Sequence, residues 1–265
     1  MLLFVLISFC SALLAQPWGA ESTETVAARF APPVGYERVA ADGGSFGAWL
    51  RNLPVKPGRS TVHLYNGELK ANQTAQAAVL DIDVGDLDLQ QCADAVIRLR
   101  AEYLWQAGRQ AELAFNFTSG HRCAWSSWRE GMRPLVDGNK VEFHKRADAD
   151  SSYANFRAYL NTVFTYAGSY SLSQELERVQ NPAQLEPGDV FIQGGFPGHA
   201  VIVLDVAEDA ESRRVFLLAQ SYMPAQEIHV LRNPDGGDVW YPARARGVLL
   251  TPEWTFDFTD LKRFP

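Results

Sequence analysis

The chain has 265 residues, 47% of them hydrophobic and 21% charged, with a net charge of −7 and an isoelectric point near 5.3. That composition excludes a disordered chain. A mild acidic excess with no run of Lys or Arg also excludes general nucleic-acid binding, which needs clustered positive charge along the phosphates.

The first fifteen residues, 1–15, carry no charge and include Leu2-Leu3-Phe4-Val5-Leu6-Ile7. The stretch is too short to cross a bilayer comfortably. It fits the hydrophobic region of a secretory signal, with Ala12 and Ala15 near a cleavage point. A retained anchor is the competing reading. Phe9 before Cys10 argues against a lipoprotein site, which wants a small residue there. No later segment is apolar for long enough to span a membrane. The expectation is export to the periplasm or beyond, a flexible tether over residues 16–31, and a single domain over residues 32–265.

Gly44 to Leu50 reads as a short capped helix, and Thr61 to Tyr65 as a strand turned by Asn66-Gly67. Ala77 to Val84 reads as a second strand. The acidic residues Asp81, Asp83, Asp86 and Asp88 resemble a calcium loop, but Cys92 stands where the twelfth-position ligand belongs. No metal or other cofactor is expected. Leu89, Cys92, Val96, Leu99 and Tyr103 recur at three- and four-residue steps and predict a helix over 89–104. Asp88 and Gln91 are its candidate capping pair. Strands follow at 114–117 and 140–143, and helices at 152–166 and 172–179. The aromatic residues Trp125, Trp128, Tyr153, Phe156, Tyr159 and Phe164 either line a groove or fill the core. Short strands at 190–192, 200–206, 215–219 and 228–231 have no helix between them, which implies an antiparallel sheet. Helices first and a meander afterwards is α+β order.

A thiol nucleophile needs a position that favours the thiolate, an imidazole base, and a polar group to orient that imidazole. Cys92 lies in the first turns of the clearest helix, where the helix dipole favours negative charge. His199 opens a strand behind Gly198, and Gln220 ends the next strand. Cys92 is equally readable as a buried apolar cysteine, His199 as a satisfied strand-end histidine, and Gln220 as a turn-capping amide. Once the signal is removed, Cys92 and Cys123 remain, either as a disulfide or as free thiols.

The order of helix-borne Cys92, strand-borne His199 and Gln220 one strand later is similar to that of the NlpC/P60 peptidases of the papain-like superfamily. Gly188-Asp189-Val190 ahead of Gly198-His199-Ala200 also resembles that group. The resemblance implies a papain-like helix packed on an antiparallel sheet, with Cys92 as nucleophile, His199 as base and Gln220 as orienting group. The lead Gln91-Cys92-Ala93 departs from the Asp-Cys-Ser of many members. Over a longer stretch, Trp49-Leu50-Arg51-Asn52-Leu53-Pro54, Asp88-Leu89-Gln90-Gln91-Cys92-Ala93-Asp94, Leu217-Leu218-Ala219-Gln220-Ser221-Tyr222 and the ending Thr251-Pro252-Glu253-Trp254 resemble the bacterial family termed domain of unknown function 4846. The activity implied by the peptidase resemblance is an exported thiol hydrolase or acyl transferase acting on an amide, with cell-wall peptide as substrate class. Tyr222, Gln226 and Gln91 are expected to face that substrate. The alternative is a non-catalytic envelope protein on the same scaffold, with peptidoglycan or an envelope protein as partner.

Overall fold

The computed structural model describes residues 24–58, 60–236 and 238–265. The expected signal and residues 16–23 of the expected tether lie outside them. The rest of that stretch is no tether. Thr25 accepts a hydrogen bond from the Ala28 N–H at the start of Val26–Arg29 (α1), and Val26 is fully buried. Val26 N–H donates to Leu53 O, which fixes this turn to the main body. The small polar residues before it hide one apolar anchor, and burying such a side chain is worth about 1.5–3 kcal/mol.

Glu37–Arg38 (β1) precedes Phe46–Arg51 (α2), which Ser45 caps through the Ala48 N–H. The strand expected at 61–65 forms only isolated bridges, at His63 and Leu64. Gln76–Val79 (β2) is a strand, but it stops well short of Val84. The long helix is Cys92–Gln106 (α3). Gln91 is its N-cap, and the Asp94 carboxylate accepts the Gln91 N–H at 3.1 Å. Asp88 is drawn elsewhere, to the Ala225 N–H at 2.7 Å. The helix therefore begins three residues later than its apolar period implies, and Cys92 becomes its first residue.

Next come Ala114–Asn116 (β3) with Arg122–Ala124 (β4), Trp125–Arg129 (α4), and the hairpin of Met132–Asp137 (β5) and Lys140–Lys145 (β6). Tyr153–Tyr166 (α5) is capped by Ser152. Ser169–Glu175 (α6) starts and ends earlier than expected, because Glu177–Arg178 (β7) leaves to pair with the C-terminal strand. The remaining strands are Val190–Gln193 (β8), His199–Glu208 (β9), Arg214–Gln220 (β10), His229–Leu231 (β11), Tyr241–Pro242 (β12), Val248–Leu250 (β13), Thr255–Asp257 (β14) and Leu261–Arg263 (β15).

The main sheet runs β2-β11-β10-β9-β8-β15-β7, with β1 and β12 added beside β9 and β10. Every pair in it is antiparallel, so the chain is α+β. β9 is hidden on both faces. Ala200, Ile202 and Leu204 face the core built on α3 and α5, while Val201 and Val203 join Phe191, Phe216 and Phe258 in a second core on the other face. The expected aromatic set belongs to the first core: Trp125 packs edge-on against Phe156 and Tyr159. Between Leu217 and Leu218 the β9–β10 register slips by one residue, a bulge that leaves Leu204 unpaired. Asp205, next along, is fully buried and is bound by both Arg38 and Arg51.

Candidate functional site

A cleft of about 340 Å³ opens where the start of α3, the α5–α6 junction, the β8–β9 turn and the segment after β10 meet. Four of the six expected site residues, Cys92, His199, Tyr222 and Gln91, are on its walls. Gln220 lies directly behind His199. Gln226 is not at the site. It is buried, its Nε2 donates to Pro224 O at 3.0 Å, and its neighbour Ala225 accepts the Tyr65 N–H. The Gln226 backbone also forms an isolated antiparallel bridge with Leu64. A larger hollow beside the cleft shares Leu89 and Phe164 with it and carries Asp83, Gln90 and Arg157, but no nucleophile.

Cys92 is half-buried at the head of α3. The first N–H groups of a helix have no intrahelical acceptor. Those of Ala93 and of Cys92 itself reach the thiol, as does the Ala200 N–H from β9, and all three favour the thiolate. Burial outweighs them, helped by the charge of nearby Asp94, and pushes the thiol up to about 11. Burial likewise pushes the Asp94 carboxyl well above the usual carboxylate range. Cys123, on β4, is buried and free, as is the thiol of Cys92, so no disulfide joins them.

His199 begins β9, and Gly198 clears the approach to it. A Cβ on Gly198 would stand 2.2 Å from Ser169 Oγ and 2.6 Å from Gln193 O, so no larger residue fits. The imidazole packs on Tyr222 and Trp254, with ring centroids 4.8 and 5.1 Å away. Its Nε2 is 2.9 Å from Gln220 Oε1. The chemistry of the next contact fixes the proton. Gln220 Nε2 donates to Glu253 Oε2 at 2.7 Å, and a carboxylate can only accept. The Gln220 oxygen must therefore face His199, so His199 donates from Nε2 and keeps its lone pair on Nδ1. His229 agrees. Its Nδ1 donates to Glu227 O at 2.9 Å, which leaves its Nε2 to accept from Gln220 at 3.5 Å. Lys70 and Asn72 hold the other Glu253 oxygen, at 2.5 and 3.1 Å.

Burial pushes His199 down to about 4, against the opposing effects of its Gln220 bond and the Glu253 charge. At neutral pH the thiol and the imidazole are thus both uncharged. Among the described residues no hydrogen bond joins Cys92 Sγ to the ring. The two face one cleft, with the base's lone pair on the nitrogen that the relay leaves open.

Glu253, Lys70, Asn72, Trp254 and His229 were not anticipated as site residues. Glu253 and Trp254 do lie in the Thr251-Pro252-Glu253-Trp254 ending, which marks kinship but reveals no partner. They reach the site across more than thirty residues of chain, a distance that no local spacing encodes.

The chain belongs to the family described as domain of unknown function (4846), whose model matches residues 26–263. No curated protein matches it. No solved structure matches it either.

Proposed function

We propose that the protein is an exported thiol hydrolase or acyl transferase that acts on an amide bond through Cys92, His199 and Gln220. The observation that carries this reading is the His199 imidazole. It shares a cleft with the helix-first Cys92, is held at Nε2 by Gln220, and keeps its lone pair on Nδ1. The order of the three residues, their placement on one helix and two paired strands, and the resemblance to NlpC/P60 peptidases support a papain-like site.

In this mechanism His199 Nδ1 takes the Cys92 proton as sulfur attacks the carbonyl carbon. The C–S bond forms and the carbonyl electrons move to oxygen, toward the Cys92 N–H at the helix start. The tetrahedral intermediate collapses, the C–N bond breaks, and the amine leaves with the proton from imidazolium. Water or a second amine then gives its proton to Nδ1 and releases the acyl group from sulfur. Thiol and ring draw together as substrate fills the cleft, since catalytic hydrogen bonds are often long before it binds. Cell-wall peptide is the substrate class that the resemblance and the expected export supply.

Incubating the full chain with amide and ester substrates, then digesting it for mass spectrometry, should find an acyl group on Cys92. The adduct should disappear in His199→Ala. Absence of any acyl adduct across cell-wall peptides and simple acyl donors removes the catalytic reading and leaves a non-catalytic envelope binding protein.

A further inference from the structure

We infer that the cleft takes a neutral, apolar chain of its substrate, rather than a free carboxylate, next to the reacting carbonyl. This deepens the thiol-transfer reading above and rests on it for the reacting carbonyl only.

Among the described residues the cleft lining contains no Lys or Arg. Its two carboxylates, Asp88 and Asp94, each bond a neighbouring N–H through one oxygen, and Asp94 Oδ1 is buried with no partner. Asp88 accepts the Ala225 N–H and the Gln91 amide, and Asp94 is buried against the Gln91 N–H. A substrate carboxylate entering here meets no counter-charge and would sit beside Asp88. The rest of the lining is uncharged, with apolar Leu89, Phe164, Ala167, Pro197 and Trp254 beside neutral polar Gln91, Thr165 and Ser169. At the mouth stand two of the most exposed large hydrophobic side chains among the described residues, Phe196 at 84% and Met223 at 63%. Tyr170, 45% exposed, stacks on Phe196 with ring centroids 6.4 Å apart. Apolar side chains gathered in water around one opening mark a binding site. Those at the rim of Cys92 can be covered by a chain of the substrate that enters past them.

N-alkylmaleimides test this on the full chain without requiring turnover. Labelling of Cys92 is read by peptide mass, and each rate is divided by the same probe's rate with glutathione. A fully buried methylene is worth roughly a fourfold gain. The N-hexyl probe should therefore outpace the N-methyl probe by about tenfold or more, while the N-carboxypentyl probe lags behind N-hexyl. In Phe196→Ser the hexyl-to-methyl ratio should fall toward one. Equal rates for all three probes, or a preference for the carboxylate, overturn the inference. Two 4-nitroanilides identify the chain: acylation of Cys92 by the hexanoyl compound assigns a fatty acyl group, and acylation by the N-acetyl-leucyl compound assigns an amino-acid side chain. If neither acylates Cys92 while the maleimide preference holds, the apolar cleft stands and the catalytic reading fails.

Discussion

Glu253 settles which way the Gln220 amide points, and through it which nitrogen of His199 carries the proton. A carboxylate held by Lys70 and Asn72 accepts only from the amide nitrogen, so the amide oxygen has one orientation left. Gln220→Ala removes the acceptor of His199 Nε2–H and the donor to Glu253. It should cost about 1–3 kcal/mol of stability, the usual effect of stranding buried polar groups. Labelling of Cys92 should fall by roughly tenfold as the ring loses its orientation. Nitrogen-15 NMR should report an Nε2–H tautomer for His199 in the wild type and a mixture in Gln220→Ala. An unchanged tautomer with unchanged labelling would make Gln220 a purely structural residue.

Asp205 is a fully buried carboxylate shared by two guanidinium groups, and its role is the fold. It sits beside the β9 bulge, fully buried, and takes Arg38 from β1 and Arg51 from α2. Asp205→Asn halves the acceptors and leaves two guanidinium groups with no opposing charge. Breaking a buried ion pair from one side costs about 3–5 kcal/mol. Urea unfolding should show that loss in the midpoint, with the slope unchanged.

The sequence displays what local periodicity and strand alternation encode. The helices at Cys92–Gln106 and Tyr153–Tyr166 and the strands β8 to β11 are all legible, because apolar spacing and Gly-rich turns mark them. Helix starts are less so. Asp88 with Gln91 reads as the capping pair, yet Gln91 is itself the N-cap with Asp94 accepting its N–H, and Asp88 accepts the remote Ala225 N–H. Gln226 and Tyr222 both follow the end of β10 and both carry polar groups, yet one is folded into its own loop and the other lines the cleft. Residue type does not say which way a loop residue turns. Glu253 is invisible for a different reason, since its partners Lys70, Asn72 and Gln220 lie far away in the chain.

Cys123 provides a control thiol within the same molecule. It is 1% exposed on β4, and burial pushes it up to about 12. In the native protein, iodoacetamide should modify Cys92 and leave Cys123 untouched, and denaturation should make both react. Peptide-resolved mass spectrometry reads both sites at once. Cys123→Ala should cost about 1–2 kcal/mol through the small cavity it leaves, without altering Cys92 labelling. Comparable native labelling of the two thiols would mean that the β3–β4 hairpin opens to solvent.

The pH dependence of Cys92 labelling separates a catalytic pair from a bland buried thiol. Burial holds the thiol near 11 and the imidazole near 4. An unassisted thiol in that setting reacts only as its rare thiolate, so its rate climbs tenfold per pH unit up to about 11. A thiol that hands its proton to a neutral imidazole needs only the pair in its uncharged state, which is present throughout that range. General-base transfer to His199 adds a component that does not vary with pH, so the wild type should climb less than tenfold per unit from about pH 5.5 to 8, with the slope shallowest at the acid end. His199→Ala should restore the tenfold-per-unit slope and fall furthest below the wild type at the acid end. The fold sets the lower limit of the experiment. His199 and His229 are both held near 4, below the ordinary histidine value of 6.5. Their contribution to stability is complete above pH 6.5 and is lost as the pH falls from 6.5 through 4, because the unfolded chain takes up the protons first. Circular dichroism at each pH keeps the comparison within the folded range. If the wild type already climbs tenfold per unit there, His199 is not the base for Cys92.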